Sequence, residues 1–383
     1  MASVYFHIPY CRKACTYCNF HFSTQLKGFE SMVQAMEVDW NLQQNFLSES
    51  TVESIYFGGG TPSVLPLERL EKLISIVTAT KQIHPEAEIT LEANPEDIHS
   101  ENLIRWKQLG INRISLGVQS LNDEELRWMN RAHSARESRD SVDLILQHTG
   151  FQLSVDLIYG SHLKSDEQWL QELEWVNQSG VHHLSCYALT VEEKTALYKI
   201  QSATNLIKDE HSTQHFQILS EWAHNNAWNH YEISNLSRTE ETRAKHNQRY
   251  WHGGTYWGIG PGAHAYNGQQ RRWNLANNNL YTKYLLENTP DLTFEVEELS
   301  RLNKFNERLM THLRLSSGIK LDDLSGLVEP KTWEKWIHET SPLLDRWALN
   351  GQVIRSNSHL ILTAEGRWFA DAISADLMLV EED

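Results

Sequence analysis

The sequence predicts an α/β fold whose first half is a run of parallel βαβ units. Short apolar runs alternate six times with helix-period stretches, and polar residues gather just past the ends of those runs. A parallel connection needs about a dozen residues, usually a helix, so the spacing fits crossovers better than hairpins. Periodicity leaves two closures open, a partial barrel and a doubly wound sheet. In either, functional groups collect at the carboxyl ends of the strands.

The elements follow in order. Val4 to Ile8 reads as the first strand, and Phe29 to Phe46 as a helix with Met32, Val33, Met36 and Trp40 on its apolar face. Strands are predicted at 52–57, 88–92, 113–118, 152–158 and 182–188, separated by helices at 67–80, 101–109, 123–148 (broken) and 166–178. The strand ends carry, in turn, a cysteine loop, Gly58-Gly59-Gly60-Thr61, Glu92-Ala-Asn-Pro95, Gln119-Ser120, Asp156 leading to Gly160, and Tyr187-Ala188. Polar groups of opposite character on one rim describe a site better than a packing surface.

The cysteine loop is the most informative stretch. Cys11, Cys15 and Cys18 follow the spacing C-x3-C-x2-C, and the whole chain has four cysteines, so their clustering argues against three unrelated buried thiols. Three thiolates leave a metal centre one protein ligand short of four. An open position can bind and polarise a substrate, whereas a closed site is structural. Structural zinc, completed by His7 or His21, is the alternative that soft thiolates also allow.

A chain of 383 residues with 40% hydrophobic and 22% charged content suggests two globular domains. No run approaches the roughly 18 apolar residues of a membrane span. The first strand begins by residue 4, leaving no room for a signal peptide, so a reducing, cytoplasmic location is expected. Thirty-four basic against fifty acidic residues give a net charge of −16, which disfavours nucleic-acid binding.

The glycine run by itself supports either a flexible turn or a close ligand approach with free N–H groups. No Gly-Lys-Ser/Thr follows it, so a Walker-type phosphate loop is not supported. Taken with the three cysteines, Glu92-Ala-Asn-Pro95, Ile114 to Ser120, Asn130-Arg131 and Asp156 to Gly160, it resembles the radical S-adenosylmethionine (SAM) proteins related to oxygen-independent coproporphyrinogen III dehydrogenase. The resemblance spans residues 1 to about 270 and selects the partial (β/α)6 barrel.

It implies a [4Fe-4S] cluster on Cys11, Cys15 and Cys18, with SAM on the open iron. Tyr5 and Tyr17 then sit beside SAM, Gly59, Gly60 and Thr61 contact its methionine part, and Glu92, Gln119, Arg131, Asp156 and Ala188 complete its surroundings. Arg131 suits a carboxylate, and the two acids suit an ammonium or ribose hydroxyls. Two departures separate this chain from the dehydrogenase. Asn19-Phe20 stands where the dehydrogenase has a further cysteine, and the dehydrogenase's N-terminal extension is missing. Both resemble the HemW-type haem chaperone group.

Beyond residue 200 the composition shifts. Leu206 to Asn226 is predicted helical and Trp228 to Ile233 a strand. A loop rich in histidine, aromatics and glycine then runs from Lys245 to His264, suited to a haem or to an interdomain seal. Within it, His246-Asn247-x-x-Tyr250-Trp251 resembles the group's H-N-x-x-Y-W signature, which implies haem binding and singles out His246. After a linker at 288–291, helices at 299–313, near 321 and at 334–349 precede a hairpin turning near Asn357, and Thr363 caps a last helix. That order suggests a winged-helix-like domain. Its acidic character points to a lid or partner surface.

The expected division is therefore 1–200 as barrel, 201–288 as an extension carrying His246, and 292–383 as the winged-helix-like domain. The resemblance implies a haem chaperone that passes haem cargo to acceptor proteins, with an electron donor for the cluster. Its alternative is a coproporphyrinogen III dehydrogenase acting by a 5′-deoxyadenosyl radical. The two departures weigh against active dehydrogenase, and whether the chain is an enzyme at all stays open. An RNA-modifying enzyme is disfavoured by the acidic excess. Peripheral membrane contact and the choice between monomer and dimer stay open too.

Overall fold

The computed structural model describes residues 1–356 and 358–380. Its first half follows the expected alternation: β1 (Ala2–Ile8), α1 (Phe29–Gln43), β2 (Thr51–Gly59), α2 (Leu67–Thr78), β3 (Gln82–Ala93) and α3 (Ser100–Gln108). Then come β4 (Arg113–Gln119), the broken pair α4 (Asp123–Trp128) and α5 (Ala135–Gln147), β5 (Gln152–Tyr159), α6 (Asp166–Ser179) and β6 (His183–Ala188). These six strands pair in parallel in the order β1 to β6, the sequential order of a barrel wall and not that of a doubly wound sheet. The wall stays open, because the outermost strands of the full sheet do not meet.

Strand alternation divides polar from apolar side chains. Ser3, Tyr5 and His7 share one face with Ser54, Tyr56, Glu92, Ser115, Asp156 and Ser185, and hydrogen bonds join several of them across neighbouring strands. The intervening positions, Val4, Phe6, Ile55, Phe57, Leu91, Leu116, Val155 and Leu184, belong to the buried apolar core shared with the helices. A period of two therefore gives a greasy outer wall and a polar lumen.

The sheet extends further than expected. After α7 (Ala196–Thr204) and α8 (Asp209–Asn225), the stretch expected as a strand at 228–233 yields only β7 (Asn229–His230), followed by β8 (Asn235–Ser237). Glu232 ends it early: its carboxylate accepts from Ser234 N–H at 3.0 Å and from the Asn235 side chain, curling the backbone into a turn. The expected loop around His246 begins instead with a helix, α9 (Lys245–Trp251). The carboxylate of Glu88, on β3, accepts from the first two amides of that helix, Lys245 and His246, both at 3.0 Å. A cap supplied from 157 residues upstream leaves no local signal.

Then β9 (Tyr256–Ile259) joins β1 in parallel, and β10 (His264–Tyr266), β11 (Gln270–Asn274), α10 (Asn278–Leu286) and β12 (Phe294–Glu298) complete that side. Twelve strands result, in the order β12-β11-β10-β9-β1-β2-β3-β4-β5-β6-β8-β7. Although β12 lies within the stretch expected as the C-terminal domain, it pairs with β11 in the large sheet.

A second apolar core begins at Phe305 and runs to Leu377. It joins α11 (Arg301–Leu313), β13 (Ile319–Lys320), α12 (Leu321–Ser325), α13 (Pro330–Leu349), β14 (Val353–Arg355), β15 (His359–Leu362) and α14 (Ala370–Leu377). These four helices and a three-stranded sheet in the order β13-β15-β14 form a winged-helix-like unit. The third helix starts at Pro330, four residues earlier than expected, with proline in the first turn where its missing N–H is harmless. Thr363 Oγ1 does accept from Gly366 N–H at 3.0 Å, but a 3₁₀ turn at Gly366–Phe369 precedes α14. The turn expected near Asn357 lies outside the described residues.

Candidate metal centre and barrel-mouth site

The cysteine loop leaves β1 at Ile8 and is fastened by its surroundings. Cys11 N–H donates to Ser23 O at 3.0 Å, Thr16 N–H to Met129 O at 3.1 Å, and Leu197 N–H to Thr16 O at 2.8 Å. Asn130, at a left-handed φ of 58°, donates from Nδ2 to Ala14 O at 2.7 Å. Arg12 is clamped on Asp97 at 2.9 and 3.1 Å, and Asp97 also takes a bond from Ser63. The loop is thus shaped by the ends of the other strands, which places its thiols over the lumen.

All three thiols are unpaired and partly buried. Thr61 Oγ1 donates to Cys11 Sγ at 3.5 Å, and Arg131 Nη1 donates to Cys15 Sγ at 3.3 Å. Burial pushes Cys11 up to about 11 against the opposing Thr61 bond, and burial raises Cys18 as well. Metal binding would therefore displace protons from the thiols.

Both histidines that could complete a zinc site already have partners. His7 is committed on both ring nitrogens, to Tyr5 OH at 3.1 Å and His21 O at 2.8 Å, while His21 Nε2 meets Asn278 Oδ1 at 2.7 Å. Moreover, among the described residues the three metal-binding side chains whose ligand atoms fall within 4.8 Å of one another are Asp166, His211 and His215, not the cysteines. The donors to sulfur, Thr61 and Arg131, suit anionic thiolate ligands.

The Asp166, His211 and His215 group is explained by hydrogen bonding. Gly160 N–H donates to His215 Nδ1 at 3.1 Å, so a neutral His215 carries its proton on Nε2, 3.3 Å from Asp166 Oδ1. That nitrogen is a donor and not a metal ligand.

The glycine loop does not offer the free N–H groups that the run alone allowed. Its amides are not free: Gly60 N–H donates to Ile8 O at 2.9 Å, Thr61 N–H to Tyr10 O at 2.7 Å and Gly59 N–H to Glu92 Oε2 at 3.2 Å. They bind the end of β2 to the start of the cysteine loop. Glycine is required there by proximity, since a Cβ at Gly59 would lie 2.7 Å from the His7 ring, and Gly59 also holds a φ of +108°.

Glu92 and Asp156 lie in the lumen beneath this rim. Glu92 accepts from Tyr56 OH at 2.8 Å, and Asp156 accepts from Ser115 Oγ at 3.1 Å on both oxygens. Burial raises Glu92 to about 7, opposed by the bonds from Tyr56 and Gly59 and reinforced by Asp156. Burial likewise raises Asp156 to about 6, opposed by bonds from Ser185 and Ser115. Two acids held this way are primed for a cation.

Arg131 ties the rim together, donating to Asn94 Oδ1 at 2.6 Å and Gly117 O at 2.9 Å besides Cys15, while its buried Nε has no acceptor among the described residues. Gln119 ends β4 at a left-handed φ of 67°, where the ladder with β5 shifts register. Non-glycine residues in that region cost energy and mark functional turns. Tyr17 lies beside Cys15, Cys18 and Arg131 and packs on the small apolar cluster of Met129, Ile158 and Leu189. Tyr5 points to the same lumen as Glu92, and Ala188 closes β6 beside Tyr159.

His246 stands apart from this rim. Its ring is buried, with Nδ1 on Ser54 Oγ at 2.9 Å and Nε2 on Tyr250 OH at 2.8 Å, and burial lowers its pKa to about 3. It lies tilted against Tyr56 at 4.9 Å and Tyr5 at 6.3 Å, closing the lumen from below. Tyr56, Ser115 and Ser185 escaped the sequence reading. The signal was there, in polar residues at alternate strand positions, but it becomes readable only when the strands are laid side by side.

The class that this fold and site define is the radical SAM superfamily, whose family model matches residues 5–176. The chain is 33% identical to the heme chaperone HemW of Mycobacterium tuberculosis over 98% of its own length and 94% of that protein's. It is 32% identical to the heme chaperone HemW of Synechocystis over 83% of this chain and 79% of that one. Among solved structures, coproporphyrinogen III oxidase (HemN) from Escherichia coli superposes with a TM-score of 0.82 at 21% identity, covering 98% of this chain and 90% of that one, a likeness of fold. This chain belongs to the HemW family of radical SAM proteins.

Proposed function

We propose that this protein is a haem chaperone: it binds haem as cargo, holds a [4Fe-4S] cluster with SAM, and hands haem to acceptor proteins. The observation that carries the reading is the near full-length likeness to proteins named heme chaperone, which takes in the barrel, the His246 segment and the winged-helix-like unit together. Asn19-Phe20 after Cys18 agrees with it, because Phe20 is 67% exposed where the related dehydrogenases carry a cysteine.

Cys11, Cys15 and Cys18 would hold the cluster, and when bound the cluster with SAM supplies one-electron chemistry. Arg131 is the group for SAM's carboxylate, and Glu92 and Asp156 are the groups for its ammonium and ribose hydroxyls. Tyr5, Tyr17, Gln119 and Ala188 shape the walls. Gly59, Gly60 and Thr61 act by fixing the mouth. His246 contributes to haem from behind, holding Tyr250 by its hydroxyl and α9 by its place under the lumen. An electron donor and haem acceptors are the partners this requires, in the cytoplasm.

Purified protein incubated with haem is expected to develop a Soret band and to lose it to an apo-haem protein, with His246→Ala weakening uptake. Absence of haem binding by the intact chain overturns the reading. Anaerobic conversion of coproporphyrinogen III would favour the dehydrogenase instead.

A further inference from the structure

We propose that the cavity between α9, the β9–β10–β11 strands and α11 binds a planar ligand carrying carboxylates, and that haem cargo lodges there by its ring face and propionates. The inference rests on the haem reading and adds the place and the contacts.

The cavity has a volume of about 470 Å³, within the range of small-molecule sites. Tyr250, Trp251, Tyr256 and Tyr266 line it. Tyr250 meets Tyr256 edge-on at 4.6 Å, and Tyr256 lies 6.3 Å from Tyr266, so aromatic surface runs continuously along one side. Flat rings of this kind offer stacking area to a planar π-system.

Charge selects the ligand further. The protein carries −16 overall, yet the cavity is lined by three cations, Arg271, Lys304 and Arg308, against the single acid Glu307. Glu307 is spent on Arg271 in a paired contact at 2.8 and 3.0 Å, and Lys304 donates to Gln269 at 2.7 Å. The guanidinium of Arg308 makes no hydrogen bond or ion pair with any described residue. Arg308 is half-exposed, and beside it Trp251 brings a buried Nε1–H with no acceptor among the described residues. Unpaired buried donors are uncommon, and a carboxylate beside an unpaired guanidinium is a strong, charge-assisted partner.

The position of the cavity also explains His246. Its ring meets Tyr250 edge-on at 4.9 Å on one side and Tyr56 on the other, so an aromatic row links the lumen to the cavity. His246 is a positioning residue for the cavity wall.

The test uses the full-length, cluster-reconstituted protein, titrated separately with haem, iron-free protoporphyrin and protoporphyrin dimethyl ester. Arg308→Glu is expected to weaken haem and protoporphyrin by about tenfold or more, the value of a charge-assisted hydrogen bond, while leaving the ester nearly unchanged. Arg308→Lys should keep most of the affinity, and Tyr266→Ala should weaken all three ligands. Thermal unfolding of each variant certifies the fold, and Arg308→Gln replaces Arg308→Glu should the latter fail to fold. If the wild-type chain binds haem and neither Arg308 nor Tyr266 variants alter it, this site is wrong and the haem reading stands. If the wild-type chain binds no haem, the haem reading itself falls.

Discussion

At the scale of single residues, the lumen acids give the site its pH behaviour. Burial holds Glu92 at about 7 against 4.5 and Asp156 at about 6 against 3.8. Both groups therefore bind protons more tightly in the folded, ligand-free protein than in the unfolded chain. The resulting stabilisation is full below the unfolded values and is lost as pH rises through the folded ones. The melting temperature of ligand-free protein is expected to fall between about pH 4 and about pH 7, and Glu92→Gln should remove much of that slope. A slope that is flat in the wild type, or unchanged in the variant, would contradict the burial of an ionisable Glu92. Cys11, Cys15, Cys18, Glu92 and Asp156 could be found from sequence because they stand in or just past the six predicted strands, and Arg131 because it falls in a motif of the resemblance. Arg308 could not: an arginine on an amphipathic helix looks the same whether or not an acid faces it.

At the scale of elements, a buried polar knot fastens the barrel to its extension. Asp39 of α1 accepts from Gln43 at 2.8 Å, Arg272 at 3.0 Å, Asn274 at 2.8 Å and Tyr281 at 2.7 Å, and is fully buried. Replacing it with alanine strands the Arg272 charge in the interior, at a cost of about 3–5 kcal/mol. Urea unfolding of Asp39→Ala is expected to show a loss of that size, and a loss under about 1 kcal/mol would mean that water reaches Arg272. Nothing in the local sequence marks this knot, because three of its four partners, Arg272, Asn274 and Tyr281, lie more than 230 residues from Asp39. The same holds for α9, whose cap comes from Glu88, and for β9, whose partner is β1. Elements whose hydrophobic period matches their own structure were readable, and those defined by distant hydrogen bonds were not.

At the scale of the molecule, the fold places the cysteine rim and the proposed ligand cavity at opposite ends of one polar lumen. The carboxyl ends of the strands carry three thiols and a rim of charge. The far end is stoppered by α9, whose outer side faces the aromatic cavity beside the second apolar core. No described helix is long and apolar enough to cross a membrane. The acidic surface leaves the cavity as a locally cationic spot, which would favour an anionic ligand over nucleic acid. The proposed cluster and cargo sites should therefore be separable by mutation, since Cys15→Ser touches one end and Arg308→Glu the other.

Anaerobic reconstitution, with iron and acid-labile sulfide counted and the electron paramagnetic resonance of the reduced protein recorded with and without SAM, tests the three-thiolate centre most directly. A [4Fe-4S] signal that SAM perturbs, and that Cys11→Ser, Cys15→Ser and Cys18→Ser each abolish, is the expected result. Tightly held zinc without sulfide, or a cluster signal indifferent to SAM, would contradict it.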